Sequence, residues 1–561
     1  MDEQPNLREF LNEVSSFTED SSAAPSAGMG EALSAIGEVM EIAGSGSQIR
    51  IDGAALAAIQ AHKDPSVAMS GQVGSQVKML VGQNLLIANV RTMRASEGGE
   101  VFAHVDFLGE GNRDSSGKLS SFRRGVTRYP IPGSKVLPVS TDDLRAVFAA
   151  SDEAHIEIGT VYPTDDIRGT LYVDPMLSKH FAVLGSTGTG KSTSVALILH
   201  RISQLSPEGH IVMIDPHGEY SAAFKGCGEL FNVDNLQLPY WLMNFDEHCE
   251  VMLTTHGAER QRDADILAKS LLAARTKGKD MSQYGKVTVD SPIPYLLADL
   301  NTIIVNEMGK LERAGDTLPY QRLKTKLDEL RADPRYTFMF SGMLVSDSMP
   351  GLLAKLFRLP SQGRPISIVD VSGVPSEITS VVVSVLARMV FDYAIWSRTE
   401  AQRPLLLVCE EAHRYVPKDE NSENGQAVRR ILERIAKEGR KYGVSLGLIT
   451  QRPSDLAEGV LSQCGTIVAM RLNNERDQAC VRAAMPEGAR GFLDAIPALR
   501  NRECIVCGEG VAIPLRVRFD DLEPEKRPAS SDPSFARLWR ESGDEEGIIQ
   551  RTIKRWRGHG R

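Results

Sequence analysis

The sequence predicts an α/β protein with a doubly wound core sheet that carries a helical insertion and follows a small all-β domain. Three observations support this class. A short apolar run at 181–184 leads into a glycine-rich turn and an apolar stretch without helix breakers, which is the order of strand, loop and helix. Apolar runs downstream end in acidic or amide residues, and short alternating runs separated by polar turns fill the region upstream.

The first 172 residues contain two kinds of sequence. Residues 1–32 are rich in Ser, Ala, Glu and Asp, which is typical of a flexible extension, with one short helix expected at 6–17. Residues 33–172 hold several alternating runs and therefore predict a small barrel or sandwich. These runs lie at 37–42, 77–81, 85–90, 101–108 and 156–161.

The glycine-rich turn after the run 181–184 fits the pattern GxxxxGK[ST]. Its glycines let the backbone turn and approach a triphosphate, and the helix that follows adds its positive dipole end. Lys191 would bridge the β- and γ-phosphates, and Ser192 would hold Mg²⁺ through its hydroxyl. A glycine turn without a ligand would explain neither of these two residues. The predicted nucleotide-binding residues are Gly185, Ser186, Thr187, Gly188, Thr189, Gly190, Lys191, Ser192 and Thr193.

The next apolar run, 211–214, ends in Asp215. Pro216 and Gly218 force the chain to turn directly after it. We expect Asp215 to lie beside the glycine-rich loop as a further catalytic acid. The alternative is an acid that only caps the turn.

The stretch that follows is far longer than one crossover of a doubly wound sheet needs. Apolar residues recur at helical spacing at 266–274 and 323–330 among many charges. This pattern predicts a helical insertion at about 251–340. Residues 365–370 then return to strand character with an acidic end.

A run of branched apolar residues, 405–408, leads through a cysteine into Glu410 and Glu411. Because side chains alternate along a strand, we expect these two acids to point in different directions. Glu410 would then serve the Mg²⁺ shell through water, and Glu411 would polarise the attacking water as a base. An acidic pair considered alone could also be a solvated strand end.

A further apolar strand, 444–450, is followed by Gln451 and preceded by a helix that is expected to end near Gly439. Gln451 is a neutral amide that could orient water or sense the γ-phosphate. Arg440 would lie on the turn between helix and strand and is a candidate arginine finger. The alternative for Arg440 is a solvated arginine.

These motifs resemble the HerA-type ATPases of the HerA and FtsK group of RecA-like motors. The resemblance rests on GSTGTGKS, IDPHGEY, LPYWLMN, EEAH, EGRKYG and TQRPS, in this order over about 177–519. It implies a RecA-like P-loop ATPase core over 173–520, with ATP and Mg²⁺ as cofactors, after a β-barrel domain over 33–172. It also implies a homohexameric ring that hydrolyses ATP at subunit interfaces and moves double-stranded DNA through its centre.

The resemblance also assigns roles to individual residues. Lys191 and Ser192 match the P-loop pair, Glu410 and Glu411 match the acidic pair, and Gln451 matches the sensor amide. In EGRKYG, Arg440 matches a basic position that is associated with the neighbouring subunit's nucleotide.

The sequence departs from the family at one position before the P-loop strand. Many relatives have an arginine followed by a histidine there, whereas this chain has Lys179 and His180. Lysine keeps the charge but loses the planar fork of the guanidinium. Lys179 is retained as a contributor from the neighbouring subunit.

Two functional hypotheses follow from the resemblance. The first is an ATP-driven DNA translocase or helicase whose barrel tier recruits a partner nuclease or other effector, in DNA end processing or anti-phage defence. The second is a nucleotide-gated hexameric scaffold that activates a partner enzyme with little translocation of its own. The acidic pair and the sensor amide favour turnover, because binding alone needs neither. The barrel could also be a purely structural cap.

Composition favours an intracellular enzyme, and we expect a cytoplasmic protein without membrane attachment. Seven scattered cysteines predict no disulfide framework, and the CxxC at 504–507 is expected to be β-structure. The most apolar stretch, 378–396, carries Arg388 and Asp392 and predicts a buried helix. The net charge of −9 neither supports nor excludes DNA, because a ring needs basic groups only around its channel.

Residues 521–561 predict an extended arm followed by a basic tail. Phe535, Leu538 and Trp539 form an apolar cluster that we expect to lie against a neighbouring subunit. The basic tail has one aromatic residue, Trp556, and either contacts DNA or a partner or is a solvated terminal helix. Its basic residues are Arg551, Lys554, Arg555, Arg557 and Arg561.

Overall fold

The computed structural model describes residues 33–558 except 97–99, 115–116, 312–313, 342–343, 345, 420–424, 486–488, 530–533, 542 and 544. The predicted extension at 1–32, with its short helix at 6–17, lies outside the described residues, as does Arg561. The division of the chain into domains stays a prediction.

The N-terminal region is a closed antiparallel barrel, which confirms the predicted small all-β domain. Among the described residues its strands are β1 Gly37–Ile42, β2 Gly46–Ile51, β3 Gln76–Val81, β4 Asn84–Ala95, β5 Val101–Arg113, β6 Leu119–Arg124 and β7 Lys135–Pro138. They follow the order β2-β1-β7-β3-β4-β5, pairing of β2 with β5 closes the barrel, and β6 extends β5 outside it. Closure leaves no exposed strand edge in the ring of paired strands.

The interior of the barrel is a separate apolar core. Alternate residues of its strands, such as Ile49, Ile51, Val77 and Met79, point inward and are fully buried. Three short helices, α1 Gly53–Ile59, α2 Pro65–Met69 and α3 Thr141–Val147, lie in its connections. A buried ion pair of 2.7 Å between Lys78 and Asp143 ties α3 to the barrel wall.

Two strands that the sequence pattern places in the barrel region belong to the larger sheet instead. They are β8 His155–Val161 and β9 Arg168–Tyr172, and β8 pairs with a strand from the far end of the chain. The run 156–161 was therefore correctly predicted as a strand but assigned to the wrong sheet. Alternation along a strand shows which face is buried and does not show which sheet the strand joins.

The core is a mixed sheet that in the described residues has eleven strands in the order β12-β13-β11-β14-β15-β10-β16-β17-β18-β8-β9. The first seven in this order are parallel and the rest are antiparallel. The strands not yet given are β10 Phe181–Leu184, β11 Ile211–Asp215, β12 Gly228–Phe231, β13 Ile366–Asp370, β14 Leu405–Cys409, β15 Val444–Thr450, β16 Thr466–Met470, β17 Glu503–Gly508 and β18 Leu515–Phe519.

Helices cover the parallel part of this sheet, which explains why its strands are continuous apolar runs. The helices of the core are α4 Val173–Ser178, α5 Lys191–Leu205, α11 Met349–Leu356, α12 Ser376–Trp396, α13 Gln426–Glu438, α14 Glu458–Leu461, α15 Glu475–Ala484 and α16 Arg490–Leu493. The helix α13 ends at Glu438, as predicted, and a single 3-10 turn, Gly439–Tyr442, connects it to β15. The cysteines at 504 and 507 lie in β17, as expected.

The predicted helical insertion is present. It contains α6 Phe245–Met252, α7 Gly257–Thr276, α8 Leu297–Met308, α9 Ala314–Ala332 and α10 Thr337–Phe340. The guanidinium of Arg275 in α7 is fully buried and donates to the carbonyl oxygens of Met243 (2.9 Å) and Trp241 (3.3 Å). These bonds fix the segment LPYWLMN between the insertion and the core.

Within the described residues, one helix, Ser376–Trp396, is long and apolar enough to cross a membrane, and 72% of its most apolar window is buried inside the protein. Its charged residue Arg388 is paired with Glu247 at 2.9 Å and with Asp392 at 3.1 Å. This is the buried helix that the sequence predicted.

The described residues from Phe535 onward are mostly exposed. In α17, Phe535–Leu538, and at Trp539 beside it, the apolar cluster faces solvent, and Trp539 is 81% exposed. The terminal helix α18, Glu545–Gly558, carries the described part of the basic tail. Docking of this arm on a neighbouring subunit stays a prediction.

Candidate nucleotide-binding site

The glycine-rich loop leaves the C-terminal end of β10, which lies between β15 and β16 in the parallel part of the sheet. Parallel strands end at one edge, so Leu184 lies beside Thr450 on one side and Ala469 on the other. Every loop that follows these strands therefore opens at the same edge. This arrangement is the usual place for ligands in open α/β sheets.

The conformation of the loop depends on its glycines. Gly188 and Gly190 have φ of +77° and +95°, in the region that favours glycine. A Cβ on Gly190 would lie 2.9 Å from Cγ of Arg502, whose backbone N–H also donates to the carbonyl of Thr189 at 2.8 Å. The helix α5 begins at Lys191, directly after this turn. The loop thus has the shape that wraps phosphates with backbone N–H groups.

Lys191 lies between the loop and both predicted acids. Its Nζ is 4.0 Å from Oε1 of Glu410 and 3.7 Å from Oε1 of Glu411, and all three side chains are buried. The expectation that the two acids point in different directions is wrong. The strand β14 ends at Cys409, and Glu411 adopts a left-handed backbone conformation with φ of +51°, so the alternation of a strand does not apply to it.

The environment of Glu410 disfavours its charged form. Burial raises the pKa of Glu410 to about 8, and the nearby charges of Glu411 and Asp215 act in the same direction. Lys191 and a hydrogen bond from the hydroxyl of Tyr220 to Oε2 (3.0 Å) oppose this increase. A carboxyl group held in this way gains strongly from a cation beside it.

Glu411 offers an oxygen to a water molecule. Within the described residues its buried Oε2 has no hydrogen-bond partner, although Nδ1 of His413 lies 3.3 Å away. That nitrogen is closer, at 2.9 Å, to the hydroxyl of Thr450. Burial lowers the pKa of His413, which favours its neutral form. An unpartnered buried carboxylate oxygen can accept a proton from a water placed against it.

Gln451 contacts the P-loop directly. Its Oε1 accepts a hydrogen bond from the hydroxyl of Thr187. A polar cleft of about 570 Å³ opens beside this contact and is lined by Ser186, Thr187, Gln451 and Arg452, among others. The amide therefore lies against the loop that would hold the phosphates, and its part as a γ-phosphate sensor stays a prediction.

Asp215 has the contacts of a turn-capping acid, the alternative to a catalytic role. Its carboxylate accepts backbone N–H bonds from Gly218 (2.9 Å), Tyr220 (2.9 Å) and His217 (3.2 Å). Burial raises the pKa of Asp215. These bonds fix the loop IDPHGEY at the edge of the site, and a direct part in catalysis stays a prediction.

Arg440 and Lys179 lie at the opposite edge of the sheet from the P-loop of their own chain. Arg440 precedes β15 and Gln451 follows it, so the length of this strand, roughly 20 Å, separates them. Lys179 precedes β10 and is paired with Glu509. Neither residue can reach a nucleotide on Lys191 of the same chain, and a role for either therefore requires a neighbouring subunit.

A cavity of about 1010 Å³ also lies at this opposite edge. Arg440 is exposed at its rim, and apolar side chains such as Leu177 and Ile202 form much of its wall. It has no glycine-rich loop of backbone N–H groups. The candidate nucleotide site is therefore the smaller polar cleft at the P-loop.

Two functional candidates were not singled out from the sequence, although the motif IDPHGEY contains both. The hydroxyl of Ser192 donates to Oε2 of Glu219 at 3.3 Å, and the hydroxyl of Tyr220 donates to Glu410. Both residues follow β11, the second strand that ends beside the site. Tyr220 and Glu410 are far apart in the sequence, so their contact could not be predicted from the motif.

The donor set fits a magnesium-bound triphosphate. Mg²⁺ prefers a few protein oxygens together with water and phosphate oxygens. The hydroxyl of Ser192 and the carboxylate of Glu410 can supply such oxygens, and the orphaned Oε2 of Glu411 leaves a base for water. In the described part of the chain, no group of three or more His, Cys, Asp or Glu side chains forms a metal site by itself.

Comparison with known proteins identifies a matching family. Residues 156–390 match the model described as "Helicase HerA, central domain". The chain is 26% identical over 508 residues to the DNA double-strand break repair helicase HerA of Pyrococcus furiosus, which covers 85% of this chain and 89% of that protein. It is 25% identical over 432 residues to the protein of the same name from Sulfolobus acidocaldarius, covering 76% and 80%.

Among solved structures, the fold is similar to VirB4 of Thermoanaerobacter pseudethanolicus, with a TM-score of 0.48 and 16% identity, covering 67% of this chain and 99% of VirB4. It is also similar to the bacterial conjugative coupling protein TrwB, with a TM-score of 0.43 and 14% identity, covering 69% and 98%.

Proposed function

Because the chain is a HerA-type P-loop ATPase, we propose that it couples ATP hydrolysis to the translocation of double-stranded DNA. The proposal includes a homohexameric ring with nucleotide sites between subunits. It also includes a partner nuclease or other effector bound through the barrel tier, in DNA end processing or anti-phage defence in the cytoplasm.

The observation that carries the proposal is the meeting of a P-loop lysine, two acids and an amide at one edge of the sheet. Lys191 lies within 4.0 Å of both acids, and Gln451 is bonded to the loop itself. A protein that only binds nucleotide needs neither a buried carboxylate free to accept a proton nor an amide at the γ-phosphate position. The arrangement therefore favours turnover over a scaffold that is only gated by nucleotide.

Each side chain has a distinct part in transferring the γ-phosphate to water. The loop N–H groups and Lys191 hold the phosphates, and Ser192 and Glu410 would hold Mg²⁺. The bound ion would neutralise charge on the phosphate oxygens. Glu411 accepts the proton of the attacking water at Oε2, and Gln451 orients that water against the phosphate.

The position of Arg440 supports nucleotide sites that are shared between subunits. It lies at the edge opposite its own P-loop and is exposed there. In a ring, this edge of one subunit would face the P-loop edge of the next, where a guanidinium can stabilise the charge that develops on the phosphate. Lys179 lies at the same edge and would have a lesser part.

Support for DNA as the substrate comes from the two relatives reported above, both of which are named DNA double-strand break repair helicases. The net charge of −9 is compatible with this, because duplex DNA in a central channel is contacted only by the residues that line the channel. The partner is assigned to the barrel, since its closed wall forms a unit separate from the core sheet.

The test is the ATPase rate of the purified full-length protein, measured with and without linear duplex DNA of increasing length. A motor is expected to be stimulated by DNA, with Glu411→Gln as the inactive control. Mass measurement of the same sample gives the subunit number. Co-purification with candidate partners tests whether a partner binds through the barrel tier.

The outcomes separate the two hypotheses. Hydrolysis that depends on a partner and is unaffected by DNA would replace the motor with the nucleotide-gated scaffold. A protein that neither retains nor hydrolyses ATP in any assembly state, with or without DNA or partner, would overturn the proposal as a whole.

A further inference from the structure

The acid that contacts the hydroxyl of Ser192 lies in the loop after β11 and not after β14. Ser192 donates its hydroxyl proton to Oε2 of Glu219, after β11, at 3.3 Å. Glu410, the acid that would also serve the metal, accepts a hydrogen bond from Tyr220 at 3.0 Å and faces Lys191. The two acids therefore contact different parts of the phosphate site.

A serine hydroxyl has one proton and two lone pairs, so the acceptor of its proton decides where the lone pairs point. With the proton directed at Glu219, a lone pair of Ser192 is left for Mg²⁺. The bond of 3.3 Å would place the carboxylate of Glu219 beside an ion held by Ser192, close enough to add its negative charge to the metal site.

The backbone of Glu219 is held on both sides. Before it, Gly218 has φ of +69° and donates its N–H to the carboxylate of Asp215. Its own carbonyl oxygen accepts the N–H of Ala529, from the C-terminal arm, at 2.8 Å. The side chain of Glu219 is half-buried, and these backbone bonds fix the position from which its carboxylate reaches Ser192.

We propose that Glu219 is a positioning residue for the magnesium ion, acting through the hydroxyl of Ser192, and that the C-terminal arm holds it in place through Ala529. The inference rests on the proposed function, because it concerns the Mg²⁺ that accompanies ATP at this site. It assigns to the loop IDPHGEY a part in metal binding and to the arm a contact with the nucleotide site of its own chain.

The test measures binding of a fluorescent ATP analogue by the full-length protein, first in EDTA and then during a Mg²⁺ titration. Glu219→Gln is expected to leave the affinity in EDTA unchanged and to raise the Mg²⁺ concentration at half-saturation about tenfold, the lower end of the effect of removing an outer-shell partner. The matched control is Glu525→Gln, which changes an exposed glutamate of the C-terminal arm. Its Mg²⁺ titration is expected to be the same as that of the wild type.

A double-mutant cycle with Ser192→Ala separates positioning from a general effect of charge. If Glu219 acts through the hydroxyl, Glu219→Gln has little further effect on the Mg²⁺ dependence once Ser192 is alanine. The inference would be overturned if the shifts of the Mg²⁺ titration caused by the two single substitutions multiplied fully in the double variant. So would a Glu219→Gln protein that titrates as Glu525→Gln does.

The part of the arm is tested with Ala529→Pro, which removes the N–H that Glu219 accepts and leaves every side chain of the site intact. It is expected to shift the Mg²⁺ titration in the same direction as Glu219→Gln, whereas Ala529→Val, which keeps the N–H, is not. No shift with proline would overturn the role of the arm. In all of these measurements, the wild type is first shown to bind and hydrolyse ATP. If it does and the variants give none of the expected shifts, this inference is wrong and the proposed function is not affected.

Discussion

Replacing Glu411 with glutamine removes the proposed base while keeping the length and shape of the side chain. Its Oε2 is buried and has no hydrogen-bond partner in the described part of the chain, so the amide replaces an oxygen that is free to take a proton. A positioned general base contributes roughly 10²–10⁴-fold in rate. We therefore expect kcat to fall by that factor, which corresponds to about 3–5 kcal/mol of transition-state stabilisation.

Nucleotide affinity is expected to be retained or increased in the same variant. The carboxylate of Glu411 is 3.7 Å from Nζ of Lys191 and competes with the phosphates for it. Opposite charges about 4 Å apart attract each other by on the order of 4 kcal/mol at an effective dielectric constant of about 20. Removing one competitor therefore leaves more of the attraction of Lys191 for ATP.

The assay pairs single-turnover hydrolysis with binding of a fluorescent ATP analogue, and Glu410→Gln is the matched variant. Glu410→Gln is expected to weaken binding in the presence of Mg²⁺, because this acid belongs to the metal shell. The reasoning would be refuted if Glu411→Gln hydrolysed ATP within a few-fold of the wild type. Loss of hydrolysis with full Mg²⁺-dependent binding in Glu410→Gln would show that the two roles are exchanged.

Three further changes have expected outcomes. Arg440→Ala should leave nucleotide affinity unchanged and lower kcat by on the order of 10³-fold, as loss of an arginine finger does. Gly190→Ala should abolish nucleotide binding, because its φ is +95° and the new Cβ would lie 2.9 Å from Cγ of Arg502. Burial lowers the pKa of His248 to about 3, below its unfolded value near 6.5, so the stability that its neutral form contributes above pH 6.5 is lost as the pH falls towards 3. Between neutral pH and pH 5 this loss should reach about 2 kcal/mol in the free energy of unfolding, and His248→Gln should lack it.

Each change has a control at a comparable position. Arg398→Ala, also an exposed arginine, should not change kcat, and equal effects of both arginines would argue against a specific role of Arg440. Gly226→Ala, where nothing lies within 4 Å of the new Cβ, should bind nucleotide normally. Chemical denaturation at several pH values measures the histidine effect, with exposed His104→Gln as the control. An unchanged pH dependence in the buried variant would contradict the assigned cause.

The local features of the site could be predicted from the sequence because they depend on neighbours in the chain. The offset of Lys191 and Ser192 from the glycines is set by the turn itself, and the strand that ends before Gln451 is a continuous apolar run. The position of Glu411 could not be predicted in this way. Its left-handed conformation arises because the strand ends at Cys409, before both acids, and a periodic pattern does not show that end.

The sequence alone determined the glycine-rich motif, the acidic pair, the amide after β15 and the order of barrel, core and insertion, because motif spacing and hydrophobic periodicity are properties of the chain. Only the tertiary structure decided which distant residues meet. It joined β8 to β18 in the core sheet, brought Glu219 to Ser192, and separated Arg440 from its own P-loop by the length of a strand. The physical reason is that sheet order and loop contacts depend on how strands far apart in the chain pack together, and a short-range pattern does not encode that packing.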